Sequence, residues 1–178
     1  LKAQILYFFA ENLSNRKDEF VTGISKSCGS SKKAAISEFD ETISRLFSYA
    51  AWADKYDGAA HNAPYRGVTL ALPEAIGIIG IIAPDEQPLL NAISLIAPAI
   101  AMGNRVVFIP GERHSNVVLE LISVMETSDI PGGVVNIITG DISELAPHLA
   151  GHGEVGSVWA WANKDTIKEV ETLSTENL

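Results

Sequence analysis

The chain has 178 residues, 47% of them hydrophobic, and 13 Lys and Arg against 22 Asp and Glu give a formal charge of −9. That is enough apolar mass for one real core, while the scattered basic residues offer no stripe that could follow a nucleic-acid backbone. The longest strongly apolar run, residues 76–84, is broken by glycines and falls far short of the roughly 20 residues a membrane span requires.

The first predicted elements are helices. Ile5, Leu6, Phe9 and Leu13 recur at helical spacing, and Phe20, Ile24 and Cys28 continue a second amphipathic helix that Gly29 closes as a C-cap. The two read as an antiparallel pair. From Ser31 the apolar set Ala35, Phe39, Ile43, Leu46, Phe47, Ala50 and Ala51 sustains a long helix that ends near Tyr56-Asp57-Gly58. Arg66 to Glu74 alternates through Val68, Leu70 and Leu72 and suits an exposed antiparallel strand.

The pattern then changes. Ile76 to Ile82 is apolar on both faces, as a parallel strand covered by helices on both sides must be. Leu89 to Met102 reads as an apolar helix ended by Gly103, Arg105 to Ile109 as the next buried strand, and Ser115 to Thr127 as the following helix. Pro131-Gly132-Gly133 turns into a strand at Val134 to Ile138, and a third helix over Ile142 to Ala150 precedes a short strand at Gly156 to Trp159. This alternation implies right-handed crossovers and an α/β, doubly wound, Rossmann-like parallel sheet behind N-terminal helices. The expected organisation is a helical lead-in at 1–65, a bridging strand at 66–75 and the Rossmann-like part at 76–178. Ligands of such sheets sit beyond the carboxyl ends of the strands. Those ends are Pro84 to Pro88, Pro110 to His114, Gly140 to Ser143 and Ala160 to Lys164.

Residue types that could carry other chemistries are few. His148 and His152 stand at helical i, i+4 spacing without the acidic third ligand of a zinc helix, and His61 and His114 stand apart, so the histidines read as polar surface residues. No G-x-S-x-G elbow follows a strand, which excludes the hydrolase reading and leaves Thr139-Gly140-Asp141 as a helix entry capped by Asp141 or Ser143. Cys28, the lone cysteine, cannot form an internal disulfide and is expected to be a small buried hydrophobe on the far side of the sheet from the strand tips. No secretory leader pattern is read, and a reducing cytoplasm is the expected setting.

Two strings carry a family resemblance. Leu95 to Val107 (LIAPAIAMGNRVV) resembles the LAPALAAGNTVV-type signature of aldehyde dehydrogenases, and Pro131 to Gly140 (PGGVVNIITG) resembles their PPGVVNVVTG string. The resemblance covers nearly the whole chain and implies the N-terminal, NAD-binding part of that fold. Ala50 to Gly58, Pro84 to Glu86 and Ala99 to Arg105 are similar to the degenerate second repeat of the tandem, family 16 type members. With Leu1 in place of an initiator Met and no tail signature at Asn177-Leu178, part of a longer protein is expected.

The resemblance also implies site positions, and this chain departs from the family at each. Where active members read PWNFP and use the Asn amide to hold an oxyanion, Glu86 stands; an ionised carboxylate has no donor and repels developing negative charge. The simpler reading of Asp85 and Glu86 is as acids near a helix N-terminus. Where a KPAE-type Lys would bond the adenosine ribose stands Ile109, leaving Glu112 and the backbone. The glycines that admit the pyrophosphate correspond to Ile142 and Ala146, and the FTGS-type string to Ala160-Trp161-Ala162-Asn163. Cofactor-contacting positions are therefore implied at Ala83, Pro84, Asp85, Pro110, Glu112 and Trp161 only as vestiges, and no catalytic residue is expected, since the family's nucleophilic Cys and Glu base come after this span. No cofactor is therefore expected from the residues, while the family resemblance by itself implies NAD(P). Two functions stay open: a non-catalytic domain packed beside an active aldehyde dehydrogenase domain or in a homo-oligomer, and the NAD(P)-binding portion of an aldehyde oxidoreductase. No nucleic-acid or membrane partner is expected.

Overall fold

The computed structural model describes residues 1–175, so the tail ending at Asn177-Leu178 lies outside the described residues. Three helices come first: α1 (Lys2–Asn15), α2 (Lys17–Cys28) and α3 (Lys32–Lys55). Arg16 alone joins α1 to α2, and both helices pack on α3 more extensively than on each other. Gly29 ends α2 in the left-handed conformation (φ 62°), and the Ser31 hydroxyl caps α3 by accepting from the Ala34 amide at 3.2 Å.

A two-stranded antiparallel ribbon follows, β1 (Ala59–His61) with β2 (Thr69–Ala71), paired from Ala59 with Ala71 to His61 with Thr69. The strand expected over Arg66 to Glu74 is thus shorter, and its partner went unread because Ala-Ala-His carries no alternation. Val68, Leu70 and Leu72 all remain exposed.

The sheet proper contains β3 (Ile78–Ile82), β4 (Arg105–Ile109), β5 (Val135–Ile137) and β6 (Val155–Ala160) in the order β5-β4-β3-β6, every neighbouring pair parallel. Between them run α4 (Pro88–Ala101), α5 (Ser115–Leu119), α6 (Leu121–Glu126) and α7 (Ile142–Ala150), and α8 (Lys164–Ser174) closes the described chain. The single helix expected over Ser115 to Thr127 is instead two short helices meeting at Glu120. Helix α8 was not anticipated, although Asn163 caps it by accepting from the Asp165 and Thr166 amides, both at 3.0 Å.

Alternation along the strands divides two cores. Ile79, Ile81, Val106 and Phe108 face the N-terminal helices and α4, whereas Ile78, Ile82, Val107 and Ile109 face α7 and α8. Burying each large side chain of this kind contributes about 1.5–3 kcal/mol. The end of α4 is tied to the start of β3 through Asn104, which donates to the Ala99 carbonyl and accepts from the Gly77 amide, each at 3.1 Å. Gly103 supplies the positive φ (92°) that lets the chain turn there, the structural reason for the Gly-Asn pair in the first signature string.

Helix α7 approaches β3 closely because Gly80 has no side chain: a Cβ there would stand 2.8 Å from Leu149 Cγ. Gly80→Ala is expected to destabilise the domain by about 1–3 kcal/mol in urea denaturation, because α7 must move outward. In a double-mutant cycle Leu149→Ala should relieve part of that loss.

Candidate functional site

The strand ladders continue into the turns beyond the carboxyl edge of the sheet. Ala83 N–H donates to Ile109 O, Ile138 N–H to Phe108 O and Trp161 N–H to Ile82 O, all at 2.9 Å. The turns that the sequence reading singled out therefore lie side by side. The first of them, Pro84 to Gln87, is backbone-strained: Gln87 precedes a proline yet adopts the left-handed region at φ 45°. Pro88 opens α4 at the position where its missing N–H costs nothing.

Carboxylates bind backbone amides all along this edge. Asp85 Oδ1 accepts from the Arg113 amide at 2.9 Å, and its Oδ2 lies 3.6 Å from Arg113 Nε. The Asp85 backbone sits directly over Gly111, where a Cβ would come within 2.6 Å of Asp85 Cα. Glu112 Oε1 accepts from the Ile142 amide at 2.8 Å, joining the turn after β4 to the start of α7. Asp141 caps α7 through the Ser143 amide at 2.7 Å and the Ser143 hydroxyl at 2.6 Å, and these two bonds hold its carboxyl below the ordinary aspartate value.

A fourth acid was missed by the sequence reading. Glu38 of α3 is buried and accepts from the Leu89 amide at 3.0 Å and the Leu90 amide at 3.4 Å, supplying the N-terminal acceptor that Gln87 does not give α4. Burial pushes its carboxyl above the ordinary value, and the Leu90 and Leu89 amides pull the other way. The signal was present, since position 38 lies on the same helical face as Ala35 and Thr42.

Cys28 needs a correction. Ser27 Oγ lies 3.1 Å from His114 Nδ1, in the turn after β4, so the end of α2 stands beside the strand tips and not on the far side of the sheet. Partial burial raises the pKa of its thiol, and the Glu38 carboxylate raises it further, both favouring the protonated form. Among the described residues no group of three or more His, Cys, Asp or Glu is placed to hold a metal.

A cavity of 310 Å³ opens between the second and third turns, lined by Pro110, Glu112, Ser115, Thr139, Gly140 and Asp141. A larger one of 650 Å³ lies at the opposite, amino edge of the strands against Leu1, Tyr7 and Phe8, where parallel sheets do not place their ligands. Of the positions expected to touch a cofactor, Pro110 and Glu112 share the smaller cavity, Asp85 packs against Gly111 between them in sequence, and Ala83 and Pro84 are not among the residues that line it. Trp161 is about half exposed (47%) on the other side of β3, outside that cavity. Ile109 is buried in the core facing α7, and Glu86 is exposed at the tip of its turn.

The residues present do not fit a dinucleotide seated on the first turn of α7. Its first amides are already bound by two carboxylates, and the cavity lining carries no cation. Glu38→Gln separates the charge from the hydrogen bonds at this edge. Folded Glu38 holds its proton more tightly than the unfolded chain, so its contribution to stability is complete below the ordinary value of 4.5 and is lost as pH rises through the raised folded value. In pH-resolved denaturation Glu38→Gln, which keeps an acceptor, should flatten that decline; Glu38→Leu should cost about 1–3 kcal/mol at all pH values by orphaning both amides.

Comparison with known proteins agrees with this architecture. Residues 1–178 match the aldehyde dehydrogenase family. A betaine aldehyde dehydrogenase of Hordeum vulgare is 34% identical over 152 residues, covering 83% of this chain and 30% of that protein. Aminoaldehyde dehydrogenase 1 of Pisum sativum, named as peroxisomal, is 29% identical over 181 residues, covering 99% of this chain and 36% of that protein. The solved betaine aldehyde dehydrogenase of Staphylococcus aureus in complex with NAD+ superposes with a TM-score of 0.94 over 99% of this chain and 36% of that one; at 24% identity it speaks to the fold alone. The chain spans about a third of the length of these relatives.

Proposed function

The chain belongs to the aldehyde dehydrogenase family, and from that premise we propose that it is a cofactor-type portion of such a protein, non-catalytic by itself, whose role is to pack beside an active aldehyde dehydrogenase domain or within an oligomer. Glu86 is the observation that carries this reading. It is exposed in the turn after β3, and the resemblance aligns it with the Asn that active members present to the oxyanion. A carboxylate there puts a negative charge where negative charge develops, which raises the barrier instead of lowering it.

The exposed ribbon side chains Val68, Leu70 and Leu72, together with Trp161, supply apolar surface for such packing. Assignment to the degenerate second repeat of the tandem, family 16 type belongs to the same proposal and rests on the quoted strings at Ala50 to Gly58, Pro84 to Glu86 and Ala99 to Arg105. A cytoplasmic setting is likewise proposed from the single cysteine. No helix among the described residues is long and apolar enough to cross a membrane.

The alternative, an NAD(P)-binding portion of an aldehyde oxidoreductase, is favoured by the retained Pro110 and Glu112 around the 310 Å³ cavity. Steady-state kinetics on the full-length protein separate the two. Glu86→Asn is expected to leave aldehyde turnover unchanged, because another domain performs the chemistry. If Glu86 lies in a working site, restoring the donor should raise kcat by about 10²-fold or more, and that outcome sinks the proposal.

A further inference from the structure

Of the carboxylates at the sheet's carboxyl edge, Asp141 is a simple helix cap, whereas Asp85 and Glu112 reach across to other turns in a way that neither catalysis nor capping of their own elements accounts for. Asp85 ties the turn after β3 to that after β4 through the Arg113 amide; Glu112 ties the turn after β4 to α7 through the Ile142 amide; Asp141 takes the Ser143 amide. In each bond a backbone N–H donates to an acid, and the bonds to Asp85 and Glu112 together join three successive turns. Gly111 belongs to the device, since any side chain there collides with Asp85 backbone and carboxylate at 2.5–2.8 Å.

Backbone N–H groups at a helix N-terminus beside a parallel strand are the donors that a nucleotide's phosphates use in folds of this class. Here they are consumed internally, and the acids add negative charge that repels a phosphate. We infer that this edge is self-occupied: Glu112, assisted by Asp85 and Asp141, is an intramolecular anion that shuts a dinucleotide out and holds the three turns in the arrangement a bound dinucleotide would otherwise impose. The inference rests on the reading of this edge as a cofactor-type site, but it does not depend on Glu86 or on turnover.

Hydrogen exchange at single amides of the full-length protein tests it, with NAD+ and ADP-ribose at millimolar concentration as probes. In the unaltered protein neither probe should change exchange at Arg113, Ile142 or Ser143. Glu112→Ala should speed exchange at Ile142 by about tenfold, with no change at Leu89, which Glu38 holds independently. In Glu112→Ala combined with Ile142→Gly, which also clears the β-branched side chain, ADP-ribose should then slow exchange at position 142 again. Glu112→Gln, which keeps an acceptor, should retain most of the protection. Slowing of the Ile142 amide by NAD+ in the unaltered protein overturns the inference. So does unchanged exchange in Glu112→Ala, or failure of ADP-ribose to restore protection in the double variant. None of these results bears on Glu86→Asn kinetics, so the two readings fail separately.

Discussion

Four carboxylates turned back onto backbone amides set the character of this domain. A parallel sheet with helices on both faces concentrates unsatisfied N–H groups at one edge, because each crossover helix starts there with its first amides unpaired. Something must accept from them. In this chain Glu38 serves α4, Glu112 and Asp141 serve α7, and Asp85 serves the turn between β4 and α5. The acceptors are built into the polypeptide, so these amides are satisfied without a ligand, and the same acids add negative charge to the edge.

The core below explains why those acids meet their amides. Gly80 lets α7 press Leu149 onto β3, which brings the start of α7 within reach of Glu112, and Gly111 lets the turn after β3 lie flat on the next. Glu38 reaches across from α3 because α3 packs extensively on α4. Removing water from Glu38 raises its carboxyl, while exposed Asp141, bonded twice by Ser143, is held low; burial dominates one and hydrogen bonding the other. The N-terminal helices are thus part of the edge's construction, since α3 supplies one of its acids and the end of α2 meets His114 there.

Much of this fold was legible because its patterns are strong. The β4 strand at Arg105 to Ile109 and the α7 helix at Ile142 to Ala150 have the bounds that apolar runs and glycine punctuation indicate, and Asp141 caps where a helix entry was read. Other parts carry no local signal. Ala59 to His61 becomes a strand only because Thr69 to Ala71 pairs with it. Asn163 has a strong capping signature, but it also fell in the position of a family loop string, and that reading hid α8. The placement of Cys28 depended on how α2 docks, a long-range property that helical periodicity cannot supply. At the site itself, the departures at Glu86, Ile109 and Ile142 could be read from the residues, whereas the bonds of Asp85 and Glu112 to distant amides are products of the tertiary fold.

The claim that the protein's own acids hold the edge amides is tested most directly by following the amide proton resonances of Leu89, Arg113, Ile142 and Ser143 as pH is lowered through carboxylate protonation. The account predicts that all four move upfield as their acceptors lose charge, while amides inside β3 and β4 stay fixed. Resonances of Arg113 and Ile142 that ignore pH would contradict it, because the bonds from Asp85 and Glu112 would then not exist in solution.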